Sequence, residues 1–290
     1  MNVATLLHLA FPLSIALIVF ALGLRCRPSE VIYLLRERSL LLRSIAAMNV
    51  LQPIVAALLV SLTHVHAAVK IALVALAVSP VPPILPGKEL KLVTRDSYVY
   101  GLLVATSVLA IILVPVTIAL LGALSGRELR VAPVTVARIV GGSILVPLGF
   151  GVLIGHLLPT FAAKANPIVS RIGTLVLMLA AVVALCALWR PISWLIGDGT
   201  LLLCIVFATI GLVVGHTLAG PASDDRTVLA LSTAARHPGV AVAIGAAAFP
   251  GQKMVPAAVV LYLLASAIVS VPYTAWRRRL HAGVAPGTPA

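Results

Sequence analysis

Residues 67–93 read AAVKIALVALAVSPVPPILPGKELKLV, and residues 224–250 read DDRTVLALSTAARHPGVAVAIGAAAFP. Both are apolar helical runs with an interruption. In the first, Ser79-Pro80-Val81-Pro82-Pro83-Ile84-Leu85-Pro86-Gly87 contains four prolines, which remove four backbone donors and prevent regular helix. In the second, Ala235-Arg236-His237-Pro238-Gly239 falls near the middle of the run. Broken backbone at membrane depth persists only where it is buried in protein or lines a water-filled cavity. A pair of Gly/Pro-interrupted segments in corresponding positions of two halves points to the binding site of a transporter.

The solvent for these runs is lipid. Of 290 residues, 61% are hydrophobic and 10% charged, with mean hydropathy +1.15. Soluble domains carry roughly 25% charged residues, so a water-soluble globule could not cover itself. The formal charge is +13, but the basic residues sit in short clusters between apolar runs, without a basic stripe interleaved with aromatics. That pattern argues against a nucleic-acid partner and for orientation signals. Cys26, Cys186 and Cys204 form no CxxC pair and suggest neither a disulfide framework nor a zinc site. The first apolar run ends in Arg25-Cys26-Arg27 without a small-residue cleavage site and reads as a retained span.

A spanning helix needs about 20 apolar residues. That ruler predicts an all-α polytopic membrane protein with nine spans, roughly 4–24, 41–62, 67–93, 97–123, 133–158, 166–189, 195–217, 224–250 and 254–276. Residues 1–279 are expected to form one membrane domain, in halves of about 1–123 and 133–279, followed by a disordered cytoplasmic tail over 280–290. Arg25, Arg27, Arg36, Arg38, Arg43, Lys88, Lys91, Arg95 and Arg277 to Arg279 then share one side, with Lys164, Arg171 and Arg226. The other side takes fewer: Lys70, Arg127, Arg130, Arg138, Arg190 and Lys253. The asymmetry predicts a cell (inner) membrane protein with its N-terminus outside and its C-terminus cytoplasmic.

Single prolines at 53, 115, 147 and 272 read as kinks. Arg236 is different, because a guanidinium at the centre of a span is costly. All eight acidic residues (Glu30, Glu37, Glu89, Asp96, Glu128, Asp198, Asp224 and Asp225) fall in loops or near span ends, so no membrane-embedded carboxylate is expected. An unpaired guanidinium in a protein-lined cavity would hold an organic anion, preferably a carboxylate or phosphate. His237 beside it reads equally as a group titrating near neutral pH or as a hydrogen-bonded packing residue. Ser232, Thr233, Thr106, Ser107, Asn49 and Gln52 are candidate cavity polars, although such side chains more often bond their own helix backbone. Gly239 and the prolines Pro82, Pro83 and Pro86 complete the candidate substrate or ion site. The remaining histidines show no metal-ligand spacing.

Several stretches resemble the bile acid:sodium symporter-like family of secondary transporters. IVFALGLRCRPSEV (18–31) resembles its helix ending in a PS-D/E turn, and AAMNVLQPIVAALLV (46–60) its proline-centred following helix. LVALAVSPVPP (73–83) is similar to its first crossing helix, which carries CPGG, and SILVPLGFGVLIGHLLP (143–159) to its later PxxxGxxxxxxLP helix. RTVLALSTAARHPGVAVAIGAAAF (226–249) is similar to the second crossing helix, with motif E-x-G-x-Q-N-S-G-L-A. The resemblance implies inverted repeats, panel and core domains, and alternating access around two crossing discontinuous helices. It also implies the departures. The family's sodium-binding Glu falls on Ser232, its Gln on Arg236 and its Asn on His237, while Gly239 is kept. Pro80 alone survives of the CPGG pattern, and a Thr/Ser pair persists as Thr106-Ser107.

These replacements count against sodium coupling and imply that the Arg236 guanidinium occupies the place of the bound cation. Transport would then be uniport-like, exchange-like or coupled to protons through His237. No cofactor or metal is expected, and the partners are a small organic anion and the bilayer. An intramembrane enzyme acting on a lipid is the competing class, although no GxSxG, HExxH or paired membrane carboxylates occur. A non-transporting ligand-binding paralogue is the third.

Overall fold

The computed structural model describes residues 3–93, 96–124, 126 and 128–283, and among them every regular element is helical. With no water inside a bilayer, apolar runs close their backbone hydrogen bonds within the segment. The chain forms α1 (Val3–Arg25), α2 (Arg38–Leu62), α3 (Ala67–Val78), the single turn α4 (Pro86–Glu89) and α5 (Ser97–Leu124). The second half contributes α6 (Pro133–Leu157), α7 (Pro159–Leu195), α8 (Thr200–Leu218), α9 (Ser223–Ala234), α10 (Pro238–Ala248) and α11 (Val255–Gly283). Two single turns, Pro28–Val31 and Tyr33–Arg36, connect α1 to α2.

Among the described residues seven helices are long and apolar enough to cross a membrane, taking Ser223–Ala248 as one. The expected span at 4–24 corresponds to α1, Val3–Arg25, whereas the one expected over 67–93 is a continuous helix only over Ala67–Val78. The seventh expected span begins later than predicted, at Thr200, because α7 runs on without a break to Leu195. At the C-terminus, α11 continues to Gly283, so residues 280–283 are helical and not tail; residues 284–290 of the expected tail lie outside the described residues.

The interruptions fall where the prolines require them. α3 stops at Val78, and Ser79 is extended (φ −73°, ψ 151°) ahead of Pro80. α9 stops at Ala234, four residues before Pro238, whose ring would clash with that carbonyl in a continuous helix. Pro53 and Pro147 have a subtler effect than a kink. Each follows a π-helical segment, Ala46–Leu51 inside α2 and Gly141–Leu145 inside α6. A proline cannot donate back, and the widened turn before it leaves carbonyl and side-chain groups turned away from the ladder.

α1 packs on α6 and α7, and the remaining helices gather around the two breaks. Burial separates the layers: α7 is largely exposed, whereas Ser223–Ala248 is largely buried. The broken segment is therefore interior, while α7 presents Leu175, Met178, Leu179 and Val182 outward. Helices meet closely where they carry glycine, as expected when apolar burial alone cannot drive association in lipid. A Cβ on Gly23 would stand 2.5 Å from the Leu148 carbonyl oxygen, and one on Gly215 2.6 Å from Ala230 Cα.

Gly215→Leu is therefore expected to push α8 off α9 and destabilise the protein by about 3 kcal/mol, read as a lowered Tm in detergent. Gly149→Leu, which meets nothing within 4 Å, should leave Tm unchanged.

Candidate functional site

Where α3 and α9 end, their last carbonyls lose the partners that a continuing helix would supply. The two breaks lie side by side and satisfy each other. The His237 backbone N–H donates to the Pro80 carbonyl at 3.0 Å. The Arg236 guanidinium donates from Nη1 to the Ser79 carbonyl at 3.0 Å and from Nη2 to the Met48 carbonyl in the first π segment at 2.7 Å. Tyr262 on α11 donates its hydroxyl to the Ala234 carbonyl at 2.5 Å, and Gln52 Nε2 reaches the Thr233 carbonyl at 3.4 Å. Each half-helix C-terminus is thus closed by a side chain from elsewhere in the chain.

Arg236 is 0% exposed, and its Nε has no partner. Among the described residues no carboxylate pairs with it. Its countercharge is the negative end of α3 together with the Met48 carbonyl, since the carbonyl end of a helix carries a partial negative charge. Against the expectation of an anion site, the guanidinium is turned onto backbone oxygens and does not line the cavity. Carbonyl oxygens at an unwound helix end are the groups that coordinate a cation in discontinuous-helix transporters.

His237 begins α10. Its Nδ1 accepts from the Val240 N–H at 3.4 Å, and its Nε2 lies 3.4 Å from Ser143 Oγ in the second π segment. Since Ser143 Oγ already donates to the Ile139 carbonyl, His237 fits as a neutral ring with its proton on Nε2. Gly239 leaves room for that ring: a Cβ there would stand 3.1 Å from His237 Cε1.

The other expected site residues divide. Thr233 and Thr106 donate to the carbonyls four residues back, Leu229 and Leu102. Ser107 is buried with its hydroxyl unpartnered, and Asn49 is half-buried on the first π segment. Pro86 opens α4. Ser232 has a partner that the sequence reading excluded. It donates from Oγ to Glu89 Oε1 at 2.8 Å, and Glu89 is 1% exposed. Glu89 lies after the break, as expected of a residue near a span end, but it is buried in the protein. The chain after the first break folds back toward α9, so a residue that looks peripheral in linear order becomes interior.

A cavity of about 580 Å³ lies between the breaks and the neighbouring helices. Phe11 and Ile15 of α1 and Leu177 and Ala181 of α7 form one wall. Pro82, Pro83, Leu85, Leu231, Ala235 and Pro238 from the breaks form another, and α11 closes it with Leu263, Ser266, Ser270 and Thr274. Its cations are Lys91 and Arg278, both exposed. Of the expected site residues, Pro82 and Pro83 line this cavity. Lys91 and Arg278, which the sequence reading places among the orientation signals, are carried here by the segment just after the first break and by the C-terminal part of α11. The signals for Met48 and Ser143 are Pro53 and Pro147, read as simple kinks, while Gln52 is among the expected cavity polars.

Arg236→Gln should orphan the Ser79 and Met48 carbonyls and cost about 2–5 kcal/mol, seen as a large drop in Tm. Arg236→Lys, which can donate to both carbonyls but not in a planar fork, should recover part of it.

Comparison with characterised proteins finds no match to the chain. The profile of the Sodium Bile acid symporter family, by contrast, matches residues 12–190, from α1 through most of α7 and including the first break. Two adjoining discontinuous helices, the cavity beside them and this match lead to one conclusion: the chain is a multi-pass membrane protein that belongs to the sodium bile acid symporter family.

Proposed function

We propose that the protein is a secondary transporter of an amphipathic organic monoanion, working by alternating access and without sodium at the crossing of the breaks. The observation that carries the reading is the cavity. Its walls are apolar over most of their extent, and its charged side chains are Lys91 and Arg278. That combination suits a ligand with a hydrocarbon body and one carboxylate or sulfonate, which two exposed cations would attract and orient. A bile acid, named in the family's description, has this chemistry.

Thr274 and Arg278 carry the cavity lining into the C-terminal part of α11. With the N-terminus outside and the C-terminus cytoplasmic in the inner membrane, as the Lys/Arg asymmetry suggests, this arrangement is inward-facing. The group formed by α1, α6 and α7 would move against the helices around the breaks, the two halves of the chain acting as inverted repeats. Arg236 supports the absence of sodium: a tethered cation already holds the carbonyls at the end of α3. A lipid-directed enzyme is less well served, since the polar lining consists of three hydroxyls and two cations.

Reconstituted protein should take up labelled cholate at the same rate with and without a sodium gradient, and a strong sodium dependence would sink the reading. Lys91→Ala and Arg278→Ala should each weaken cholate binding about tenfold, or about 1.4 kcal/mol, by equilibrium binding. Undiminished binding in the double variant would count equally against it.

A further inference from the structure

Glu89 lies at the back of the cavity wall. The chain on either side of it, Leu85 and Lys91, lines the cavity, as do Leu231 and Ala235 on either side of Ser232. The 2.8 Å bond from Ser232 Oγ to Glu89 Oε1 therefore ties the segment after the first break to the end of α9. It joins the two broken helices directly behind the surface that a ligand would touch.

The carboxyl is fully enclosed, and its surroundings are poor in compensation. α4 packs on α5 and α9. From α5 it is faced by Tyr98, whose hydroxyl is engaged with Ser44 at 2.9 Å. From α9 come Ser232 and, toward the helix start, Asp225, which lies within electrostatic range of Tyr98. Arg236, past the end of α9, gives its N–H groups to backbone carbonyls. On its own segment Lys91 is exposed toward the cavity. Among the described side chains none pairs a positive charge with Glu89, and one hydroxyl does not compensate a buried carboxylate. A neutral carboxylic acid is far less costly to enclose than a carboxylate, and its Oε1 accepts from Ser232.

We infer that Glu89, tied to Ser232 across the two breaks, is the proton-carrying group that couples this transporter to a pH gradient. The inference rests on the transporter reading above. In the closed wall Glu89 is the acid; when the segment after the first break parts from α9, water reaches the carboxyl. The O–H bond then breaks, the proton enters the solution on that side, and the carboxylate is solvated. Protonation from the opposite side restores the acid and the tie. One proton accompanies one monoanion, so the coupled step is electroneutral and no electrons are exchanged.

The test uses the full-length protein in proteoliposomes with labelled cholate as probe, and in the same membranes infrared difference spectra between acid and alkaline buffer. An imposed pH gradient, acid outside, should drive cholate accumulation in the wild type. Glu89→Gln should keep cholate exchange but lose accumulation, while Glu89→Asp, still an acid, should retain it at a lower rate. The wild type should show a carboxylic-acid C=O band that titrates and is missing from Glu89→Gln. Accumulation by Glu89→Gln at the wild-type level would overturn the inference, and so would acid–alkaline difference spectra in which the substitution removes no carboxylic-acid band. If the wild type moves no cholate, the transporter reading for amphipathic anions fails, and the infrared band alone decides whether Glu89 exchanges a proton.

Discussion

The constraint on which the rest depends is the closure of two helix ends inside the protein. A helix that stops in lipid or in a dry interior leaves carbonyls that must be satisfied or the break cannot exist. Here the guanidinium of Arg236 answers it, reaching from the end of α9 to the Ser79 carbonyl at the end of α3 and to Met48 in α2. A single side chain thereby holds three segments, and its positive charge matches the partial negative charge at the α3 terminus. Tyr262 and Gln52 close the end of α9 in the same way, so both breaks are satisfied from within the protein.

The π segments are the second half of the same device. In α2, the widened turn ahead of Pro53 frees the Met48 carbonyl for Arg236 and positions Gln52 near the Thr233 carbonyl. In α6, the corresponding turn ahead of Pro147 sets Ser143 beside His237. Prolines in the neighbours of the broken helices thus serve the breaks, and their irregularity is local and matched. Gly211 of α8 makes room at the same place: a Cβ there would stand 2.7 Å from Gln52 Nε2 and 3.0 Å from Ala234 Cα.

Much of this was legible in linear order. The apolar runs are long, the break positions are dictated by proline chemistry, and the match to the symporter family covers residues 12–190. The site was less legible, because burial and partner choice depend on which faces meet. Glu89 has the sequence surroundings of a loop carboxylate, Lys88-Glu89-Leu90-Lys91, and only the return of that segment onto α9 makes it interior. Lys91 and Arg278 look like two more members of a basic cytoplasmic surface until α11 is laid beside the first break and both meet one cavity.

The amino-acid sequence by itself determined that the chain lives in lipid, where its helices run and where two of them must fail, since hydropathy and the missing donors of Pro80, Pro82, Pro83, Pro86 and Pro238 are properties of the chain alone. What the tertiary structure decided is the role of each charge. Arg236 was expected to face an anion and is instead spent on backbone carbonyls, while Glu89 moved inward and Lys91 with Arg278 came to line the cavity. The physical reason is that a charge in a dry interior is defined by its nearest partner, and these partners, Ser79, Met48 and Ser232, lie more than a hundred residues away along the chain.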